Sequence, residues 1–180
     1  MRRREFLIAA TGAAFAAVTL APREPLASQA TRSASPVARE ADERFMRIAL
    51  AEAEKGDFPF GTVIVRDGEV LARGFNTGKR DDDPTAHGEM NAIRAFLAEY
   101  DAADLRGTTL YTSGEPCAMC TGAIIWCGIG RIVYAASVEQ LATRLGQIAI
   151  SSQEIVDRET FAPIEITGGV LADEALALFP

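Results

Sequence analysis

The chain has 180 residues with a net charge of −7, a pI near 4.8 and 48% hydrophobic residues, among them three cysteines; there is one histidine. That acidity argues against a surface built to neutralise nucleic-acid phosphates, and Glu159 to Pro180 holds no Lys or Arg at all. Length and apolar content suit one ordinary domain with an ample core, and neither internal repeats nor low-complexity segments interrupt it.

The first residues, Met1-Arg2-Arg3-Arg4-Glu5-Phe6-Leu7, combine consecutive arginines with an apolar pair, and Leu7 to Ala21 then carries no charge. Those fifteen alanine-rich residues fall short of the roughly 20 that span a bilayer and fit a secretory signal instead. Arg3-Arg4-x-Phe6-Leu7 resembles the twin-arginine export signal, so the expected partner is the twin-arginine machinery and the expected location the periplasm. Cleavage is expected after Ala30, with Ala27 as the alternative; an uncleaved N-terminal anchor is the second reading. Residues 1–30 carry a net +2, which leaves −9 on the remainder. The expected organisation is a signal peptide over 1–30, a polar tether over 31–41 and one domain over 42–180.

Asp42 to Lys55 places Phe45, Ile48, Ala49 and Ala53 on a helical stripe. Thr62–Val65 and Val70–Ala72 flank Asp67-Gly68 and predict a hairpin. Asp83-Pro84-Thr85 predicts a helix start, with Thr85 as cap and the helix running to about Tyr100. Thr109–Tyr111 and Ile132–Tyr134 are short β-rich runs, and Pro116 before Cys117 suits the beginning of another helix. Val138–Leu145 and Leu171–Phe179 look helical, and Ile164–Ile166 looks like an edge strand. The alternation of strands and helices predicts an α/β fold, a three-layer α/β/α sandwich with the helices next to the cysteines and histidine on one face of a central sheet.

His87 stands two residues before Glu89, and thirty residues later Cys117 and Cys120 follow as Pro-Cys-Ala-Met-Cys. One imidazole and two thiolates leave the fourth tetrahedral position of Zn²⁺ open, as catalysis requires and structural zinc does not. Residues i and i+2 project from different sides of a helix, so His87 and Glu89 can converge only on a point beyond its first turn. Two helix N-termini aimed at one metal would favour the thiolate forms of Cys117 and Cys120. No second Cys or His pair exists to complete a structural knuckle. Cys127 lies about 10 Å further along the helix, too far to share the metal, and is expected to be a small buried apolar residue.

His-x-Glu followed by Pro-Cys-x-x-Cys is the signature of the zinc nucleobase deaminases. With Pro59-Phe60-Gly61, Asn76, the lead-in Asp83-Pro84-Thr85-Ala86, Leu110-Tyr111-Thr112-Ser113 and Glu115, it makes the chain resemble the cytidine-deaminase-like family, most of all its guanine, cytosine and tRNA-adenosine deaminase branch. The resemblance runs from about Glu43 to Ala136 and fades beyond. It implies a five-stranded sheet, a homodimer, one zinc per chain on His87, Cys117 and Cys120, and Glu89 as the proton carrier between the attacking water and the substrate. It also implies that Asn76 hydrogen-bonds the substrate ring. Ala86, next to the histidine, and Trp126, as a stacking aromatic beside Phe58, Phe60 and Phe75, complete the expected substrate contacts.

The expected activity is hydrolytic deamination of a free nucleobase or nucleoside, guanine-like or an amino-pyrimidine, with release of ammonia. Two departures bear on guanine. Relatives that deaminate it read the purine with an acidic residue from a C-terminal segment, for which Glu139, Glu154 and Asp157 are all available here, and Gly114 stands where many relatives carry a larger residue. The alternatives are a tRNA adenosine deaminase, disfavoured by charge, and a non-catalytic zinc-holding periplasmic binding protein, disfavoured because a pure binder has no need of Glu89 beside an open zinc position.

Overall fold

The computed structural model describes residues 36–180. The signal peptide expected over 1–30 and the first part of the tether lie outside the described residues. Helix α1 (Pro36–Ala53) begins on a proline, whose fixed φ suits a first turn, and takes up residues 36–41, which sequence composition assigns to the tether. Those six residues are all exposed, so the opening turns carry no apolar stripe to betray them. Asp42 is the first buried residue of the helix. Arg131 donates to both of its carboxylate oxygens at 2.8 Å, and the Tyr111 hydroxyl donates to it at 2.9 Å, tying α1 to the sheet.

The sheet has five strands, β1 (Gly61–Arg66), β2 (Glu69–Phe75), β3 (Thr109–Gly114), β4 (Arg131–Ala136) and β5 (Glu165–Thr167), in the order β2-β1-β3-β4-β5. β1 pairs antiparallel with β2 and β3, whereas β4 runs parallel to β3 and β5. The hairpin turn uses Asp67 (φ 50°) and Gly68 (φ 81°), two left-handed residues in succession, as a tight two-residue connection demands. Side chains alternate in period two. Val63, Val65, Tyr111 and Val133 pack with Phe45 and Met46 of α1 on one face. Ile64, Leu110 and Ile132 pack on the other with Ile93 and Phe96 of α2 (Gly88–Glu99) and Ile124 of α3 (Ala118–Cys127). The three-layer α/β/α sandwich is thus the one expected, with the two chemistry-bearing helices together on one face.

After β4 the chain forms α4 (Val138–Ala142), α5 (Ser152–Val156), edge strand β5 and α6 (Ala172–Leu176). The helices at either end are shorter than their apolar patterns suggest. α5, with a Ser151/Glu154 capping box, and the 3₁₀ turn Ala102–Leu105 have too few residues to show a period. Among the described residues no helix is long and apolar enough to cross a membrane.

α2 begins two residues later than Asp83-Pro84-Thr85 predicts, its cap at His87 in place of Thr85. The Asp83 carboxylate accepts from the Thr85 N–H (2.8 Å) and hydroxyl (2.7 Å), so this polar pair builds a turn and leaves His87 as the helix N-cap. The helix then lies directly on β2 at Gly74, where a Cβ would stand 2.3 Å from the Ala92 nitrogen and 2.4 Å from the Gly88 carbonyl oxygen. Only a residue without a side chain permits that approach. Gly74→Ala is therefore expected to destabilise the protein by about 1–3 kcal/mol through overpacking. Urea unfolding of the metal-free protein reads this directly, and zinc content falls with it because Gly88 adjoins His87.

Candidate active site

β3 ends at Gly114, and Glu115-Pro116-Cys117 turns straight into α3 at the carboxyl end of a parallel strand pair, where open α/β sheets place their sites. Cys117 is the N-cap of α3, as His87 is of α2. Neither side chain caps its own helix, and each cap carbonyl accepts the first intrahelical bond, from Thr121 N–H and Asn91 N–H at 2.9 Å each. The backbone thus anchors both residues and leaves imidazole and thiol free to face each other. Cys120 and Glu89 lie in the first turns of the same helices and reach the same point. Sequence spacing alone leaves the convergence conditional; the N-cap placement of His87 explains it, because a cap residue projects off the helix end.

The donor atoms of His87, Cys117 and Cys120 all lie within 4.8 Å of one another. His87 Nδ1 is 3.6 Å from Cys117 Sγ and 3.6 Å from Cys120 Sγ. A tetrahedral zinc with ordinary Zn–S and Zn–N bonds separates sulfur from nitrogen by about 3.6 Å, so the residues fit the ion without rearrangement. Cys120 Sγ also lies 3.5 Å from Glu89 Oε2, which brings the carboxyl to the edge of the donor set without making it a ligand.

Three protonation shifts follow from the packing. The two cysteines share a proton: the hydrogen bond from Cys120 and the neighbouring His87 hold the Cys117 thiol down at about 4, while the same bond, with burial, pushes Cys120 up. His87 is raised, chiefly by its hydrogen bond to Cys117. Glu89 is 2% exposed, and burial away from water raises its carboxyl to about 7. A carboxyl that exchanges its proton near neutrality suits a group that must both take and give one.

The site opens into a cavity of about 280 Å³, at the small end for ligand sites, lined by His87, Glu89, Cys117 and Asn76 together with Phe58 and Phe60. Asn76 is 5% exposed, and its Oδ1 accepts from the Gly78 N–H at 3.1 Å. That bond uses one of the two lone pairs of the oxygen, and the Nδ2 donors have no hydrogen-bond partner among the described residues. Asn91 staples this loop to α2, its Nδ2 donating to the Phe75 carbonyl (2.9 Å) and the Thr77 hydroxyl (2.8 Å).

Two expected substrate contacts do not reach the cavity. Trp126 sits nine residues beyond Cys117, about 13 Å along α3, where it is 77% exposed and packs on Phe161 with ring centroids 4.8 Å apart. Ala86 is buried, and its carbonyl accepts from Thr77 N–H in the loop; it is not at the wall. Phe75 is likewise off the wall, with the Arg80 guanidinium 5.4 Å over its ring. Glu139, Glu154 and Asp157 do not line the cavity. The C-terminal wall is Leu145, Gly146 and Gln147, with Lys79 opposite, and these are residues that no local pattern marks, since irregular loops carry no period. Cys127 is half-buried against the α2–α3 core and its thiol is raised by that burial, in keeping with a plain apolar role.

This arrangement agrees with what the chain is similar to. Residues 39–136 match the family described as the zinc-binding region of cytidine and deoxycytidylate deaminases. The chain is 37% identical to the tRNA-specific adenosine deaminase of Haemophilus influenzae over 146 residues, 78% of this chain and 82% of that protein. It is 49% identical to the guanine deaminase of Bacillus subtilis over 99 residues, 52% of this chain and 64% of that protein. The solved structure of guanine deaminase from Nitrosomonas europaea superposes with a TM-score of 0.65 at 27% identity, covering 80% of this chain and 82% of that one. The chain belongs to the zinc-binding cytidine and deoxycytidylate deaminase family, enzymes that hydrolyse C–N bonds, and its metal is zinc on His87, Cys117 and Cys120.

Zinc needs both cysteines as thiolates, and Cys120 holds a proton that Cys117 has already lost. Uptake of zinc by the metal-free protein at neutral pH is therefore expected to release at least one proton and to strengthen as pH rises. Calorimetry in buffers of different ionisation enthalpy measures this; Cys127→Ala should still bind one zinc and Cys120→Ala none.

Proposed function

We propose that the protein is a hydrolytic deaminase of a small amino-heterocycle, a free nucleobase or nucleoside of guanine or amino-pyrimidine type, releasing ammonia. The observation that carries the reading is Glu89, a carboxyl buried at the edge of a three-donor metal set that opens on a small cavity. Zinc held there supplies a water acidified enough to act as nucleophile near neutral pH. Glu89 takes the proton of that water and delivers it to the ring nitrogen beside the attacked carbon, then assists the departure of ammonia. Asn76 orients the ring by donating from Nδ2, and Phe58 and Phe60 supply apolar wall around it.

A second reading, adenosine in tRNA, is favoured by the Haemophilus relative and by Lys79 at the cavity. Against it stand the net charge of −7 and the small cavity, which support a free substrate without a nucleic-acid partner. The full zinc-loaded chain is expected to release ammonia from at least one of guanine, isocytosine, cytosine, adenine or their nucleosides. Glu89→Gln should keep one zinc and lose turnover by roughly 10²–10⁴-fold. Turnover of an anticodon stem-loop RNA with none of the free compounds would establish the second reading, and an active, zinc-loaded Glu89→Gln would remove Glu89 from its role.

The reading includes export through the twin-arginine route to the periplasm, supported by Arg3-Arg4-x-Phe6-Leu7, and a homodimer, which the resemblance in sequence alone implies. Export of the folded, metal-loaded protein makes sense of the site, because an empty Cys-x-x-Cys in an oxidising compartment is free to form a disulfide. A reporter fused behind residues 1–40 should be exported, and Arg3→Lys with Arg4→Lys should block it.

A further inference from the structure

We propose that Glu115 is a positioning residue that clamps the segment between α4 and α5 as one wall of the cavity, and that the amide of Gln147 on that wall selects the heterocycle. The selective role rests on the deaminase reading above, whereas the clamp does not.

Glu115 is 6% exposed and stands between β3 and the first metal-binding cysteine. Its Oε2 accepts from the N–H of Val138, the first residue of α4, at 2.9 Å. Its Oε1 accepts from the N–H and the hydroxyl of Ser152, the first residue of α5, both at 2.8 Å. Backbone N–H groups at a helix start have no intrahelical partner, so one carboxylate satisfies two helix starts that sequence separates by fourteen residues. Both oxygens are thereby committed to protein. Glu115 lines the cavity without being free to bind what enters it.

Between those anchors Leu141 and Leu145 pack on the core and the Arg144 guanidinium donates to the Phe179 carbonyl at 2.9 Å, whereas residues 146–149 make no hydrogen bond to the described residues outside 146–150. Arg144 and Leu145 still bond back to the Leu141 carbonyl, whereas Ile148 and Ile150 are exposed. This stretch nevertheless supplies Leu145, Gly146 and Gln147 to the cavity wall. The amide of Gln147 has no hydrogen-bond partner among the described residues. It is the polar side chain that the C-terminal segment brings to the cavity, and it is neutral.

The chemistry of an amide decides what it prefers. It offers an acceptor beside a donor and pairs with an edge that shows a donor beside an acceptor, whereas a carboxylate accepts only and pairs with two donors. Asn76, whose Oδ1 already accepts from the Gly78 N–H, adds the donors of its Nδ2. The substrate class that fits is a free lactam-edged base, such as cytosine with O2 beside N1–H. A pyrimidine nucleoside, in which N1 carries the sugar, loses the donor of that edge.

The test uses the full, zinc-loaded chain. Gln147→Glu is expected to lower kcat/KM for cytosine by roughly tenfold or more, by setting a carboxylate against O2, with smaller losses on bases that offer two donors and zinc content unchanged. Glu115→Gln cannot accept from Val138 and Ser152 at once. It should speed amide hydrogen exchange across Arg144–Ile150 and raise KM more than it lowers kcat, with zinc retained. Ser152→Ala, which removes the hydroxyl bond alone, should give a weaker version and keeps the clamp testable should Glu115→Gln fail to fold. Unchanged exchange in both variants overturns the clamp. A Gln147→Glu enzyme that alters every base by one common factor, or a wild type that prefers pyrimidine nucleosides to their free bases, overturns the selection. A wild type silent on the whole panel sinks the deaminase reading and the selection with it, while the exchange measurement, which needs no substrate, still decides the clamp.

Discussion

The structure depends on two helix N-termini meeting at one point at the end of the sheet. His87 and Cys117 are both N-cap residues, so the position of each donor is fixed by where its helix starts, and this is a property of backbone packing. α3 is placed by the parallel strand that feeds it, and α2 by direct backbone contact with β2 at Gly74. A shift of either helix by a fraction of its rise per residue would spoil the 3.6 Å sulfur–nitrogen separations that zinc needs. Rigidity at this junction is the reason for the dense core of β-branched and aromatic side chains on both faces of the sheet.

The same junction explains the electrostatics. Burying Glu89 raises its carboxyl to about 7, an expensive state for a group with no function, since a carboxylate left in water would stay ionised at no cost. Cys117 and Cys120 divide one proton unevenly for the same reason: two thiolates side by side in a dry site repel, and in the absence of a cation one of them keeps its proton. A divalent ion resolves both tensions at once. The site is thus arranged around a charge that the protein itself does not supply.

The metal ligands, Glu89, the hairpin, the sandwich and even the edge strand β5 were legible in the sequence, because each rests on local spacing or on period-two and helical patterns. What escaped did so for identifiable reasons. The first turns of α1 are exposed all round, so residues 36–41 read as a tether. Thr85 looked like a helix cap, but Asp83 engages it in a turn, and the helix waits for His87. Trp126 was attractive as an aromatic near the cysteines in sequence, yet rise along α3 carries it to the surface. Gln147 and Lys79 had no signal, since their place at the cavity comes from tertiary contacts that loops do not encode locally.

This division between legible and hidden residues parallels a division of labour. The family match ends at Ala136, and His87, Glu89, Cys117 and Cys120 all lie inside it. The C-terminal wall of the cavity lies outside it, in a segment whose two helices have five residues each. Such a segment can change sequence without disturbing the sheet, provided that something on the rigid side holds its ends. Glu115 sits on that side, two residues before a zinc ligand, and reaches across to both helix starts. On the proposed reading, the chemistry is built on the rigid scaffold and the choice of substrate on a wall fastened to it, in keeping with one fold carrying different activities through its loops.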